Sequence, residues 1–296
     1  LNPLFVQADP GKNKRYCEKP EINSVPDTLD QKLWPEIEDK IDKKEKINQE
    51  FEIQNTDRAV GTRISYHLYK KFGNNNLDEN SIELNFKGSA GQSFGAFAIK
   101  GLKLILKGDA NDYVAKGLSG GKIIITPPEV SSLKTNTNVI IGNTCLYGAT
   151  KGTLYAAGKV GDRFAVRNSG ADAVIEGCGD NGCEYMTGGS VTILGEVGNN
   201  FGAGMTGGMA FAYDKEGTLP LRINLDDVFY QQQMTPYWEG VLYDKIQHYF
   251  KETNSQHAKE ILDNWDRNKY LFWQIIPKEM VNKFEKPVLV ETTKTA

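Results

Sequence analysis

The 296-residue chain has only four cysteines, Cys17, Cys145, Cys178 and Cys183, at irregular spacing. So few thiols in a chain of this length do not make a disulfide scaffold, and they point to a reducing, intracellular compartment. There is no excess of basic charge: the net charge is −3 and the pI about 5.8. That argues against nucleic acid and anionic membrane as partners. No apolar run approaches the roughly 18 residues of a membrane span. The opening stretch, "LNPLFVQADPGKNKRYCEKP", lacks an initiator Met and a signal-peptide pattern. It reads as a cut piece of something longer or as a processed product.

What the chain does have is glycine, 30 in all, and their distribution divides it. Residues 1 to about 26 read as coil. Residues 27–50 are highly charged, with Leu33, Ile37 and Ile41 at helical spacing. One or two exposed helices, broken near Pro35, are expected there. "NTDRAVGTRISYHLYKKFG" reads as a helix capped by Asn55 or Asp57. Val60, Ile64 and Leu68 share its apolar face, and Gly73 stops it.

After Leu77 the helical period disappears and a repeat takes its place. "GDANDYVAKGLSGG" (108–121), "GKVGDRFAVRNSGA" (158–171), "GCGDNGCEYMTGG" (177–189) and "GEVGNNFGAGMTGG" (195–208) align. Each ends in a small-residue corner followed by an apolar run: "KIIIT", "DAVIE", "SVTIL" and "MAFAYD". The corners fall at Ser81, Gly101, Gly121, Gly152, Ala171, Gly189 and Gly208, in steps of 20, 20, 31, 19, 18 and 19. The long step contains an excursion, "PPEVSSLKTNT", whose removal restores the period. Gly88, Gly108, Gly158, Gly177 and Gly195 are expected to close the runs. A repeat this short and rich in β runs is one coil of a solenoid, with about 19 residues per coil. Asp112, Asp162, Asn199 and Asn200 fit its sharp corners, and Ala115, Gly117, Gly202 and Gly204 let coils approach closely. The expected organisation is an N-terminal coil and helical flank over 1–80, the repeat over 81–214, and a helical segment with a loose tail over 215–296. In the last part Trp238, Val241, Leu242, Ile246 and Phe250 lie near one helical face, and Ser255 N-caps a helix running through "SQHAKEILDNWDRNKYLFWQII". These terminal helices are expected to cover the solenoid's exposed edge.

Gly177 to Gly182 spells G-x-G-x-x-G after the strand-like Ala173–Ile175, with Glu196 19 residues beyond Gly177. A dinucleotide site needs a helix to open at this turn. Here the chain runs to the corner at Gly189 and another strand, so the repeat accounts for the match. Metal chemistry finds little: Cys178 and Cys183 offer two thiolates, while His67, His248 and His257 lie outside the repeat. His257 and Glu260 read as a surface pair. Ser89, Ser93, Ser119 and Ser169 have no nearby His. Asp109 with Asp112, and Asp180 with Glu184, read as turn or surface charges. No catalytic, cofactor-binding or metal residue is assigned. Arg163, Arg167, Tyr147, Tyr155 and Tyr185 are large residues in the glycine-rich repeat; they are either contacts to neighbouring domains or solvated faces.

The motifs "IQNTDRAVGTRIS" (53–65), "GSAGQSFGAF" (88–97), "GDANDYVAKGLSGGKI" (108–123), "NVIIGNTCLYGATKG" (138–152), "DRFAVRNSGA" (162–171), "GCEYMTGG" (182–189) and "NFGAGMTGG" (200–208) stand in this order. Together they resemble the C-terminal GXGXG domain of the large subunit of glutamate synthase, over about residues 27–280. The resemblance implies a mainly β fold, a right-handed parallel β-helix with N- and C-terminal helices. It implies a parent oxidoreductase acting on CH–NH2 groups, which makes two glutamates from glutamine and 2-oxoglutarate. That enzyme has a glutaminase domain and an FMN-binding synthase domain with a 3Fe-4S cluster, and its electrons come from NAD(P)H or ferredoxin. The β-helix domain is a scaffold without catalytic residues. This sequence contains neither of the other domains and no three-Cys cluster motif. The alternatives are a subunit resembling the GXGXG-type subunit of formylmethanofuran dehydrogenase, an independent β-helix binding module, and a cofactor-binding protein using the glycine turns.

Overall fold

The structure, a computed structural model, describes residues 11–12, 27–43, 45–73 and 77–288. Cys17, most of the coil expected over 1–26 and the tail beyond 288 lie outside them. Helix α1 (Leu29–Asp42) opens with a reciprocal capping box between Thr28 and Gln31 and continues through Pro35. The expected break does not occur. Proline forfeits one backbone bond, but Leu33, Trp34 and Ile37 are buried, and their burial offsets that loss.

Strand β1 (Ile47–Ile53) begins inside the 27–50 stretch, where helices alone are expected. Ile47 and Ile53 are buried while Asn48, Glu50 and Glu52 are exposed, a period of two that the surrounding charge concealed. Helix α2 (Thr62–Phe72) buries Ile64 and Leu68 and ends at Gly73, as expected. Its start differs: neither Asn55 nor Asp57 caps it. The carboxylate of Asp30, on α1, accepts hydrogen bonds from the backbone N–H groups of Gly61, Arg63 and Ile64.

The remaining strands are β2 (Ile82–Ala90), β3 (Leu102–Ala110), β4 (Ser119–Thr126), β5 (Val139–Ile141), β6 (Lys151–Ala156), β7 (Lys159–Val160), β8 (Ser169–Ile175), β9 (Thr187–Ile193), β10 (Gly207–Tyr213), β11 (Val228–Gln231) and β12 (Phe272–Pro277). Among the described residues they form one twelve-stranded sheet. From β1 through β2, β3, β4, β6, β8 and β9 to β10 every neighbour is parallel. The parallel ladder therefore begins before the expected onset of the repeat. Gly88 and Gly108 lie within β2 and β3 rather than closing them, and pair in register.

Register aligns like residues. Leu84, Leu104, Ile123, Leu154, Ala173, Val191 and Ala210 form one row across the ladder, all in one apolar core. Each fully buried Leu or Ile in such a row contributes about 1.5–3 kcal/mol. The next residues along, Ile124, Tyr155, Val174 and Phe211, face the other side and belong to a second core. Helices α3 (Pro236–Thr253) and α4 (Gln256–Asp263) supply Leu242, Ile246, Tyr249, Ala258 and Ile261 to it.

Ser255 caps α4 as expected, its hydroxyl accepting from the Ala258 N–H. The long helix expected to follow stops at Asp263. "FWQIIP" is β12, which lies antiparallel between β10 and β11. The open edge of β10 is thus covered by a strand, while the helices cover a face. Burial of Phe272, Gln274, Ile275 and Ile276, on both faces of a strand enclosed by β10 and β11, outweighs helical propensity there.

Candidate functional site

Six seven-residue turns connect successive strands: 91–97, 111–117, 142–148, 161–167, 179–185 and 198–204. In every one the third, fifth and seventh residues have positive φ. The third-position N–H donates to the second-position carbonyl of the following turn, as in Arg163 to Asp180 and Asn181 to Asn199. The seventh-position N–H donates to the following sixth-position carbonyl, as in Gly148 to Val166 and Arg167 to Glu184. The fifth-position N–H donates backward, as in Ala165 to Cys145 and Cys183 to Phe164. Left-handed backbone at alternate residues aims donors both ways along the stack, so each turn is tied to its neighbours.

The second position carries the expected corner residues. Asp112 accepts from the Asn143 N–H, Asn143 from Asp162, Asp162 from Asp180 and Asp180 from Asn199 through side-chain oxygens, at 2.6–2.9 Å. These acids are turn caps. Asp109 accepts from the Ser89 hydroxyl.

The G-x-G-x-x-G segment is one of these turns. Gly179 is a first position: a Cβ there would collide with the Asp162 carboxylate and its backbone N. Gly182 is a fourth position, where the Phe201 ring and the Cys178 sulfur leave no room for a Cβ. Residues 180–185 form a turn and β9 begins at Thr187. The segment therefore lacks the helix N-terminus that a pyrophosphate requires. Glu196 sits 3.7 Å from the Lys159 ammonium.

Cys145, Cys178 and Cys183 are buried. Burial pushes the thiols of Cys145 and Cys178 up to about 12 and that of Cys183 well above its ordinary value. Such thiols are poor nucleophiles and poor ligands. The described residues hold no group of three or more His, Cys, Asp or Glu side chains able to hold a metal ion, so their chemistry does not fit an iron–sulfur cluster. His67 stacks on Trp34 at 4.5 Å. A ring nitrogen of His257, Nε2, lies 2.5 Å from the Leu194 carbonyl, facing β9 rather than pairing with Glu260. His248 lines a shallow cleft with Lys251 and Lys259. Ser119 and Ser169 donate to the carbonyls of Gly117 and Ala149, while Ser93 occupies a left-handed third position. Two further clefts exist. One, of about 690 Å³, is lined by Glu239, Tyr243, Asp263 and Trp265. The other, of about 410 Å³, crosses the glycine corners beside Lys100, Lys122 and Lys151. Neither lining contains a Ser–His or Cys–His pair.

The five large residues separate into two groups. Tyr155 is buried edge-on against Tyr249 under α3. Tyr147 is half-buried at a sixth position, whereas Arg163, Arg167 and Tyr185 are exposed at third and seventh positions. The Arg167 guanidinium lies 5.8 Å from the Tyr185 ring centroid, and Arg163 is 3.9 Å from Glu184. A side chain with left-handed φ costs about 1–2 kcal/mol relative to glycine. Gly117, Gly148 and Gly204 occupy the seventh position in other turns, so the stack itself does not require a side chain there.

Two polar features carried no recognisable sequence signal. Glu176 is fully buried. One of its oxygens accepts from the Tyr249 hydroxyl at 2.8 Å and the Ser255 hydroxyl at 2.5 Å, which joins the end of β8 to α3 and α4. Asp30 does the same for α1 and α2. Each is a single acid among many, and its partners lie 31–79 residues away.

A model of the family described as "GXGXG motif" matches residues 30–278. The chain is 52% identical over 97% of its length to the glutamate synthase [NADPH] large chain of Azospirillum brasilense, covering 19% of that protein. It is 47% identical over 94% of its length to ferredoxin-dependent glutamate synthase 2 of Synechocystis, covering 18%. It is 43% identical over 90% to the chloroplastic ferredoxin-dependent glutamate synthase of Spinacia oleracea, covering 17%. The chain thus spans less than a fifth of the length of these relatives.

Proposed function

The chain belongs to the GXGXG family and is a GXGXG domain of the glutamate synthase type; from that premise we propose that it is a non-catalytic scaffold within a glutamate synthase. In this reading the parent enzyme makes two glutamates from glutamine and 2-oxoglutarate, in an intracellular reducing compartment. The glutaminase and FMN-binding synthase domains of the same enzyme are its partners, and FMN and the 3Fe-4S cluster belong to the synthase domain. The names of these relatives carry NADPH in one case and ferredoxin in the other two, and in this reading the electrons come from NAD(P)H or ferredoxin. In the same reading the chain is a right-handed parallel β-helix over 81–214 between flanking segments 1–80 and 215–296; the unbroken parallel order from β1 to β10 supports it.

One observation carries the scaffold reading. The residues that look like chemistry in the sequence are occupied with packing: Gly179 makes room for Asp162, and the second-position acids hold backbone N–H groups. The test is to assay the 296-residue chain for flavin absorbance, glutamine deamidation and NAD(P) binding. None is expected. Any one of them, retained through purification and lost in a Gly179→Val variant, would sink the reading.

A further inference from the structure

We infer that the seventh-position column, centred on Arg167 and Tyr185 with Arg163 beside it, is the face that receives a carboxylate from another domain of the same polypeptide. The inference rests on the scaffold reading and adds to it a face and a chemistry. Three observations converge. First, the stack accepts glycine at this position in three turns, Gly117, Gly148 and Gly204. Arg167 and Tyr185 nevertheless hold left-handed φ of 55° and 53° there, so their side chains answer to something besides the turn. Second, both are exposed, Tyr185 by 53%. The tyrosine ring lies against Gly204, where a Cβ would strike it, and this fixes its orientation.

Third, the charges are unevenly committed. The second-position acids Asp112, Asp162 and Asp180 are engaged by backbone N–H groups. Glu184 is the carboxylate nearest Arg163, at 3.9 Å. Arg167 has its guanidinium over the Tyr185 ring, with no carboxylate of the described residues in ion-pair range. A guanidinium over a ring, with no carboxylate of the described residues beside it, has N–H donors for two-pronged binding of a carboxylate. The relatives are more than five times as long as the matched segment, so in them other domains exist to supply that group.

The experiment compares the 296-residue chain with the longer polypeptide that carries it. Both are treated with an arginine-specific dicarbonyl reagent, and labelling is quantified by mass spectrometry against the denatured polypeptide. The expected result is free labelling of Arg163 and Arg167 in the chain and loss of labelling at both in the longer polypeptide. Equal labelling in the two overturns the inference. A second measurement uses Arg167→Gly and Arg167→Glu. Arg167→Gly should leave the Tm of the 296-residue chain unchanged or raised, because three other turns carry glycine at this position. In the longer polypeptide both variants should speed release of this segment by limited proteolysis, Arg167→Glu more strongly. Unchanged proteolysis with Arg167→Glu also overturns it. Failure of the scaffold reading looks different: the longer polypeptide would form no glutamate, or the chain alone would bind flavin. A glutamate-forming polypeptide with freely labelled arginines removes only the docking face.

Discussion

Asp162 and Gly179 fit each other across adjacent turns: the Asp162 carboxylate oxygen accepts the Asp180 N–H at 2.9 Å, in the space a Cβ on Gly179 would fill. This predicts a non-additive pair. Gly179→Ala alone should destabilise the chain by about 1–3 kcal/mol through overpacking. Asp162→Gly alone should cost about 1 kcal/mol for the lost cap. Together they should cost less than the sum, because removing the carboxylate clears one of the obstacles to the new methyl. Denaturant unfolding of the four proteins checks this. Strict additivity would mean that the two residues do not share that space.

Asp30 stands in for the missing N-cap of α2. Asp30→Ala should cost about 1–3 kcal/mol, since it strands backbone donors at a buried helix start. Asn55→Ala and Asp57→Ala, the sequence-favoured caps, should not abolish α2. Thermal unfolding followed by circular dichroism separates the two cases. A larger loss with Asn55→Ala would restore the local cap.

The buried thiols should be silent until the chain opens. In a Cys17→Ser background, a thiol-specific reagent at neutral pH should label Cys145, Cys178 and Cys183 only at the rate of unfolding. Prompt labelling of any of them in the folded protein would contradict their burial. Their raised pKa values also set a sign. Folded-state values near 12 for Cys145 and Cys178 lie above the ordinary thiol value of about 8.5. Their contribution is complete below that value and is lost as pH rises toward 12, because the unfolded chain ionises first.

Tyr249 extends the same alkaline limb. Burial, followed by the neighbouring Glu176 charge, raises its pKa well above the ordinary value. Stability should fall further above about pH 10 as the unfolded phenol ionises. Tyr249→Phe removes the hydroxyl from Glu176 and should cost about 1–3 kcal/mol at neutral pH. It should also shrink the loss between neutral and alkaline pH. An unchanged alkaline slope in this variant would show that Tyr249 does not titrate with unfolding.

The sequence by itself determined the repeat. Its steps reappear in the register, where Leu154 pairs with Ala173 and Ala173 with Val191 at 19 and 18 residues. This was legible because glycine, Asx and apolar positions recur wherever one turn meets the next, and such nearest-neighbour contacts leave a periodic mark. The same periodicity accounts for the G-x-G-x-x-G spacing of Gly177–Gly182. Tertiary structure alone decided what has no local mark. Strand β1 was hidden in a charged stretch, because its pairing with β2 spans 35 residues from Ile47 to Ile82. Strand β12 looked helical until β10 and β11 enclosed it. Asp30 and Glu176 became structural acids only when distant N–H and O–H groups reached them, since a buried carboxylate is chosen by its partners in space. Tyr155 and Tyr185 look alike as letters in one glycine-rich repeat. One is buried because Tyr249 of α3 packs edge-on against it, and the other stands exposed on a turn.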